Sequence, residues 1–190
     1  MSTRILALVG SLRAGSYNQQ LAEAAIKHAP GGVDIDIFDG LADIAFYNED
    51  IDRLGAVAAA DRLRAEVQSA DALLLVTPEY NGTIPAVVKN AIDWISRPFG
   101  AGAIMGKPVA VIGTSGGRYG GVWAHEDARK AARIAGASVL DDVTMSVPRA
   151  GTRFAAIPPA GDEEIVDTLP TILATLAAAV PPREGLVQES

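Results

Sequence analysis

Apolar residues along this chain follow two alternating rhythms. Solid apolar runs within residues 5–9, 73–76 and 107–112 break off at glycine or threonine, as strands buried on both faces of a parallel sheet do. Between and after them, apolar positions recur at helical spacing. Leu21, Ala24, Ala25 and His28 form one such stripe, and Ala56, Ala59, Leu63, Val67 and Ala70 a second. Ile165, Leu169, Ile172, Leu173, Leu176 and Val180 form the stripe of a last helix, which Pro170 is expected to kink. Two more helices are expected, one opening behind Pro85 and ending near Trp94 or Ile95, the other from about Val122 to Ala135. Residues 33–38 alternate apolar positions with Asp34 and Asp36, which suits an edge or near-edge strand, and 138–143 reads as a further strand. Residues 39–52 read as irregular apart from 44–47, 148–159 as loop, and 181–190 as a frayed tail.

Strands alternating with helices predict a doubly wound α/β sandwich, and right-handed crossovers leave few topologies for it. With 190 residues and five strands, the expected sheet is parallel, in the flavodoxin-like order 2-1-3-4-5, with helices on both faces. No repeat, low-complexity tract or linker divides the chain, so a single domain over residues 1–180 is expected.

Composition narrows the chemistry. The 49% of hydrophobic and 21% of charged residues are ordinary for a globular chain, and no apolar run approaches the roughly 18 residues of a membrane span. The first residues pass straight into a strand-like run without a signal-peptide layout, so a cytoplasmic location is expected. With no cysteine there are no disulfides, thiolate nucleophiles or zinc–thiolate sites, and redox chemistry would need a cofactor. A net charge of −7 argues against nucleic acid, because phosphate neutralisation supplies most of that affinity. The two histidines make no metal pattern: His28 falls on an inward helical stripe, and His125 reads as part of a solvated helix face.

Three loops follow the central strands, and in this topology they share one edge of the sheet. Residues 10–18, GSLRAGSYN, combine hydroxyls, a guanidinium and an amide, and run into a helix whose start carries the capping-box spacing Ser16–Gln19. Exposed N–H groups and the helix dipole make such a loop an anion site. Ser11, Arg13, Ser16 and Asn18 can add donors suited to a phosphate monoester. The loop is neither a Walker loop nor G-x-G-x-x-G, and by itself it reads almost equally as a capped helix behind a polar turn. The second loop offers Pro78, Glu79, Tyr80 and Asn81, with an aromatic face and backbone N–H groups. The third offers Ser115, Gly116 and Gly117, where backbone can approach a ligand closely. A phosphate cradle beside two such loops describes a site for a flat ring on a phosphorylated tail.

These residues resemble those of the NAD(P)H-dependent FMN reductase family, which includes quinone, chromate, azo-dye and ferric-chelate reductases. GSLRAGSYN at 10–18 is similar to the family's G-S-x-R-x-x-S-x-N phosphate loop. PEYNG at 78–82 and KNAIDW at 89–94 look like its isoalloxazine loop and following helix, and Ser115-Gly116-Gly117 like its third flavin loop. The resemblance implies bound FMN with Ser11, Arg13, Ser16 and Asn18 at the phosphate. It places Pro78 to Asn81 and Ser115 to Gly117 against the ring and ribityl chain. It also implies a homodimer or homotetramer with the flavin near the subunit contact, to which Trp94, Arg97 and Phe99 can belong, though each also fits plain packing.

The activity so implied is an FMN-dependent NAD(P)H:acceptor oxidoreductase. Hydride would arrive from NADH or NADPH, and a small-molecule acceptor (a quinone, ferric complex, chromate or relative) would then use the same face in ping-pong fashion. No catalytic side chain is required. Glu79 can serve as proton donor, loop brace or subunit contact, and Arg118 can meet a nicotinamide phosphate or face solvent. A flavodoxin-like electron carrier and a flavin-binding sensor are the alternatives. Arg13, Arg97 and Arg118 on the loops favour a reductase over a carrier with an acidic rim.

Overall fold

The sheet has five parallel strands in the order β2-β1-β3-β4-β5, the expected flavodoxin-like arrangement. The computed structural model describes residues 2–53 and 55–182, so most of the expected tail lies outside the described residues. The strands are β1 (Thr3–Val9), β2 (Val33–Ile37), β3 (Ala72–Val76), β4 (Pro108–Thr114) and β5 (Ser138–Val147). The helices are α1 (Tyr17–Lys27), α2 (Ala58–Ser69), α3 (Ala86–Ile95), α4 (Val122–Ile134), the short α5 (Ala150–Arg153) and α6 (Glu163–Ala178).

Both faces of the sheet are covered, which explains the solid apolar runs. Ile5, Ala7 and Val9 of β1 pack with Leu74 and Val76 of β3 beneath α1 and α6. The intervening Leu6, Leu8, Leu73 and Leu75 pack beneath α2, α3 and α4. All five residues of β3 are fully buried, and each solvent-shielded leucine contributes about 2 kcal/mol in transfer terms.

Several elements differ from their sequence expectation, for identifiable reasons. β5 continues four residues beyond the expected stop at Val143, with Val143, Met145 and Val147 buried and Thr144 and Ser146 more exposed between them. As an edge strand it alternates, so no solid apolar run marks its full length. α2 starts at Ala58, so its buried stripe is Ala60, Leu63 and Val67 without Ala56 or Ala59. α6 runs through Pro170 without interruption. The expected loop 148–159 contains α5, and Arg153 there forms a paired hydrogen bond to the Asp162 carboxylate at 2.8 and 2.6 Å.

Residues 39–52, expected to be irregular, contain two short 3-10 turns, Leu41–Asp43 and Glu49–Ile51, and are strapped to α3. Asn90 accepts from the Tyr47 N–H at 2.8 Å and donates to the carbonyls of Ile44 and Ala45. The Trp94 indole N–H donates to Ala45 O at 2.8 Å, and the ring lies edge-on to Tyr47. At 1% exposure Trp94 is a core residue and not a surface anchor. Among the described residues no helix is long and apolar enough to cross a membrane.

Candidate flavin site

Order 2-1-3 means the chain changes direction across the sheet between β1 and β3, and ligands of open α/β sheets bind outside the strand ends at such a point. A recess of about 160 Å³ lies there. The loop after β1 contributes Ser11, Arg13, Ser16, Tyr17 and Asn18; the loop after β3 contributes Pro78, Glu79 and Tyr80; the end of β4 and its loop contribute Thr114, Ser115 and Gly116. Ala150, from the start of α5, closes the wall.

Ser16 is the N-cap of α1, and its Oγ accepts from the N–H groups of Asn18 at 3.2 Å and Gln19 at 3.5 Å. Those bonds use oxygen lone pairs and leave the hydroxyl proton for an anion. The reciprocal half of the expected capping box does not form. Gln19 reaches Glu23 instead, and the Ser16 N–H donates to Arg13 O. Arg13 is exposed, with its guanidinium 5.8 Å from the Tyr17 ring and donating to Ala14 O, so it stands free to meet a phosphate.

Asn18 has a second employment that sequence did not reveal. Its Nδ2 donates to Thr114 O and its Oδ1 accepts from Thr114 N, both at 2.9 Å. The amide is 4% exposed and ties α1 to the end of β4, leaving one N–H for a ligand.

The loop after β3 is held at several points. Asn81 and Gly82, both at positive φ (54° and 79°), form the two-residue turn of a small hairpin between Tyr80 and Thr83, the primed-turn geometry that Asn-Gly favours. The Glu79 carboxylate accepts from the Ala124 N–H at 3.3 Å. Ala124 is the third residue of α4, whose N-cap Gly121 offers no side chain, so Glu79 supplies the missing cap and a favourable charge at the helix start. Glu79 is therefore a brace within its own chain. Tyr80 remains half exposed, a flat wall at the mouth.

Asn81 and Gly117 stand outside the recess lining. Asn81 sits at the exposed turn, where its backbone conformation is its contribution. Gly117 is taken up by its backbone bonds, donating to Ser115 Oγ and accepting from Arg149 N. Arg118 lies over the Tyr119 ring at 4.4 Å, and Tyr119 meets Trp123 edge-on.

The histidines also differ from expectation. His28 ends α1 half-buried, its Nε2 3.0 Å from Ala160 O, and so fixes a helix end to the chain before α6. His125 is not on a solvated face. It is fully buried, with Nε2 3.1 Å from Thr77 O and Nδ1 2.7 Å from Ser146 Oγ. Burial, helped by nearby Arg129 and opposed by the Thr77 bond, lowers its pKa from 6.5 to about 4. The sequence signal was available: α4 turns Ala124, Ala128 and Ala132 inward, and His125 adjoins that stripe.

A larger recess of about 770 Å³ lies elsewhere, between α3 and α4, lined by Ile84, Ile92, Arg97, Phe99, Met105 and Ile134 among others. It shares no lining residue with the motif loops, whereas the smaller recess gathers hydroxyls, a guanidinium and a helix N-terminus. That donor set fits a phosphorylated flavin.

Fold and site define a flavodoxin-like protein with a donor-rich cleft at the carboxyl edge of its sheet. The profile of the family described as NADPH-dependent FMN reductase matches residues 3–152, and the chain belongs to that family. An NAD(P)H-dependent FMN reductase of Pseudomonas aeruginosa is 46% identical over 117 residues, 62% of each chain. The match thus spans less than two thirds of that relative. A quinone reductase of Pseudomonas putida is 40% identical over 146 residues, 77% of this chain and 75% of that one. Among solved structures, FerB of Paracoccus denitrificans, a flavoenzyme NAD(P)H:(acceptor) oxidoreductase, superposes with a TM-score of 0.83 at 30% identity, covering 94% of this chain and 97% of that one.

Proposed function

We propose that the protein is an FMN-dependent NAD(P)H:acceptor oxidoreductase of the quinone-reductase kind. The observation that supports this most is the convergence of three separate motif loops on one cleft at the switch point of the sheet. Bound FMN would accept hydride from NADH or NADPH and release the electrons to a second substrate. The protein's part is binding and orientation. Arg13 and the Ser11 and Ser16 hydroxyls anchor the phosphate, while Pro78 and Tyr80 offer a flat wall. With FMN bound, the unpaired backbone N–H groups of the second and third loops would supply stabilisation of negative charge on the ring. With Glu79 committed to α4, no side-chain acid is needed, and quinones, ferric complexes and chromate are all acceptor candidates for an open cleft. Reduced nicotinamide as electron source fits a cytoplasmic setting.

The same reading includes a homodimer or homotetramer. The apolar recess between α3 and α4 suits a second copy of the chain, because Phe99 and Ile134 on its wall are 89% and 76% exposed. Thr83, at the base of the Tyr80 hairpin, lines the same recess, so the contact would approach the ring side of the cleft.

The test is to load purified protein with FMN and measure steady-state turnover with NADH and NADPH against a quinone, a ferric chelate and chromate. Parallel double-reciprocal lines with at least one acceptor are expected. No FMN retention, or flavin that exchanges electrons only with protein partners, would refute the reading.

A further inference from the structure

We propose that His125 is a positioning residue for the flavin cleft, acting as a neutral hydrogen-bond coupler that sets the ring-side loop through Thr77. The inference rests on the FMN reading above and concerns a residue outside the cleft lining.

The bonding fixes the tautomer. Thr77 O can only accept, so the imidazole proton sits on Nε2 and is donated at 3.1 Å. Nδ1 is then the acceptor, and the Ser146 hydroxyl donates to it at 2.7 Å. One ring thus joins the end of β3 to the end of β5. Space for it is built in at Gly113, where a Cβ would lie 2.6 Å from His125 Nε2 and closer still to Thr77 O. Any side chain there would push the ring and the strand end apart.

The place of the coupling gives it a functional reach. Thr77 is the last residue before Pro78, and its N–H completes the ladder to Ile112 O. Its hydroxyl donates to Pro78 O at 2.9 Å. Since proline has no N–H, the chain at this corner is held by these bonds and by His125, not by a continuing ladder. One residue earlier on α4, Ala124 N–H holds the Glu79 carboxylate. Consecutive residues of the first turn of α4 therefore grip the loop that presents Pro78, Glu79 and Tyr80 to the cleft. On the other side, β5 leads from Ser146 to Val147, whose carbonyl accepts from Ser115 N and from Thr114 Oγ1. The imidazole sits where the second and third loops meet.

The test compares full-length wild type with His125→Gln, which can still donate to Thr77 O, and His125→Leu, which cannot. FMN titration of the flavin-free proteins, followed by flavin fluorescence, should show about tenfold weaker binding for H125L and recovery to within about twofold of wild type for H125Q, the loss expected when one buried donor is removed. Equal FMN affinity in all three proteins overturns the proposal. So does a loss in H125L that glutamine fails to restore, which would mark simple core packing. If H125L does not fold, ¹⁵N NMR of wild type decides: the Nε2–H tautomer at neutral pH supports the assignment, and an Nδ1–H or doubly protonated ring overturns it. Wild type that binds no FMN would instead bring down the functional reading itself, while the tautomer measurement would still report on the coupler.

Discussion

Replacing Asn18 by alanine should destabilise the flavin-free protein by roughly 2–5 kcal/mol, although the residue belongs to the phosphate motif. The side chain is 4% exposed, and both ends of its amide bond the Thr114 backbone at 2.9 Å. Thr114 is itself 1% exposed, so alanine strands a buried N–H and a buried C=O together. Each stranded group costs about 1–3 kcal/mol, and water entering the vacated volume relieves part of the sum. For a domain of this size about 1 kcal/mol corresponds to roughly 2–4 °C, so the melting temperature should fall by roughly 5–15 °C. Asn18→Asp should also lose stability, because it keeps the acceptor but sets a carboxylate against Thr114 O. Circular-dichroism melts of flavin-free proteins, with urea midpoints as a second measure, isolate this effect from ligand binding. A flavin-free N18A protein that melts within about 1 °C of wild type would refute the clamp, and a deficit seen only after FMN is added would return Asn18 to the phosphate alone.

Arg13→Ala should weaken FMN binding by roughly 10- to 100-fold, the worth of a charge-assisted contact to phosphate, with little change in the flavin-free melt; unchanged retention would unseat the phosphate assignment. Glu79→Ala should lower the flavin-free melt by roughly 2–4 °C through loss of a helix cap, while Glu79→Gln, which can still accept from Ala124 N–H, should approach wild type in stability and in its kcat–pH profile. A large kcat defect shared by both variants, with the glutamine protein as stable as wild type, would make Glu79 a proton donor after all. His125 has a folded pKa lowered from 6.5 to about 4, so the unfolded chain binds its proton first as pH drops. The stability it favours is whole above pH 6.5 and is lost toward pH 4, by up to about 3 kcal/mol, and His125→Gln should flatten that part of the pH dependence in urea titrations. Under the proposed self-association, Ile134→Asp should give single chains in sedimentation analysis, since it puts a charge on the apolar wall between α3 and α4; an oligomer of unchanged mass would refute that contact.

The motifs and most element positions follow from near-neighbour chemistry. Runs such as Leu73–Leu75 demand burial on two faces, Ser16 stops one conformation and starts a helix, and Asn81-Gly82 calls for a primed turn; each rule acts within a few residues. That locality is why the alternating layers and the strand order were readable in sequence, and why the three loops that line one cleft stood out there. The limits of the reading lay where an element's length depended on its neighbours. β5 ran past Val143 because an edge strand is buried on one side only, and the turn of α5 was stabilised by Arg153 and Asp162 across a loop. What only the tertiary structure decided was which polar side chains the protein spends on itself. Asn18 meets Thr114 across 96 residues, His125 meets Thr77 across 48, and Glu79 meets Ala124 across 45. A hydrogen bond has no sequence period, and its partner is set by how strands stack into a sheet. So the residue types of the cleft were local facts, while the division between groups that face a ligand and groups that hold the cleft in shape was settled by packing.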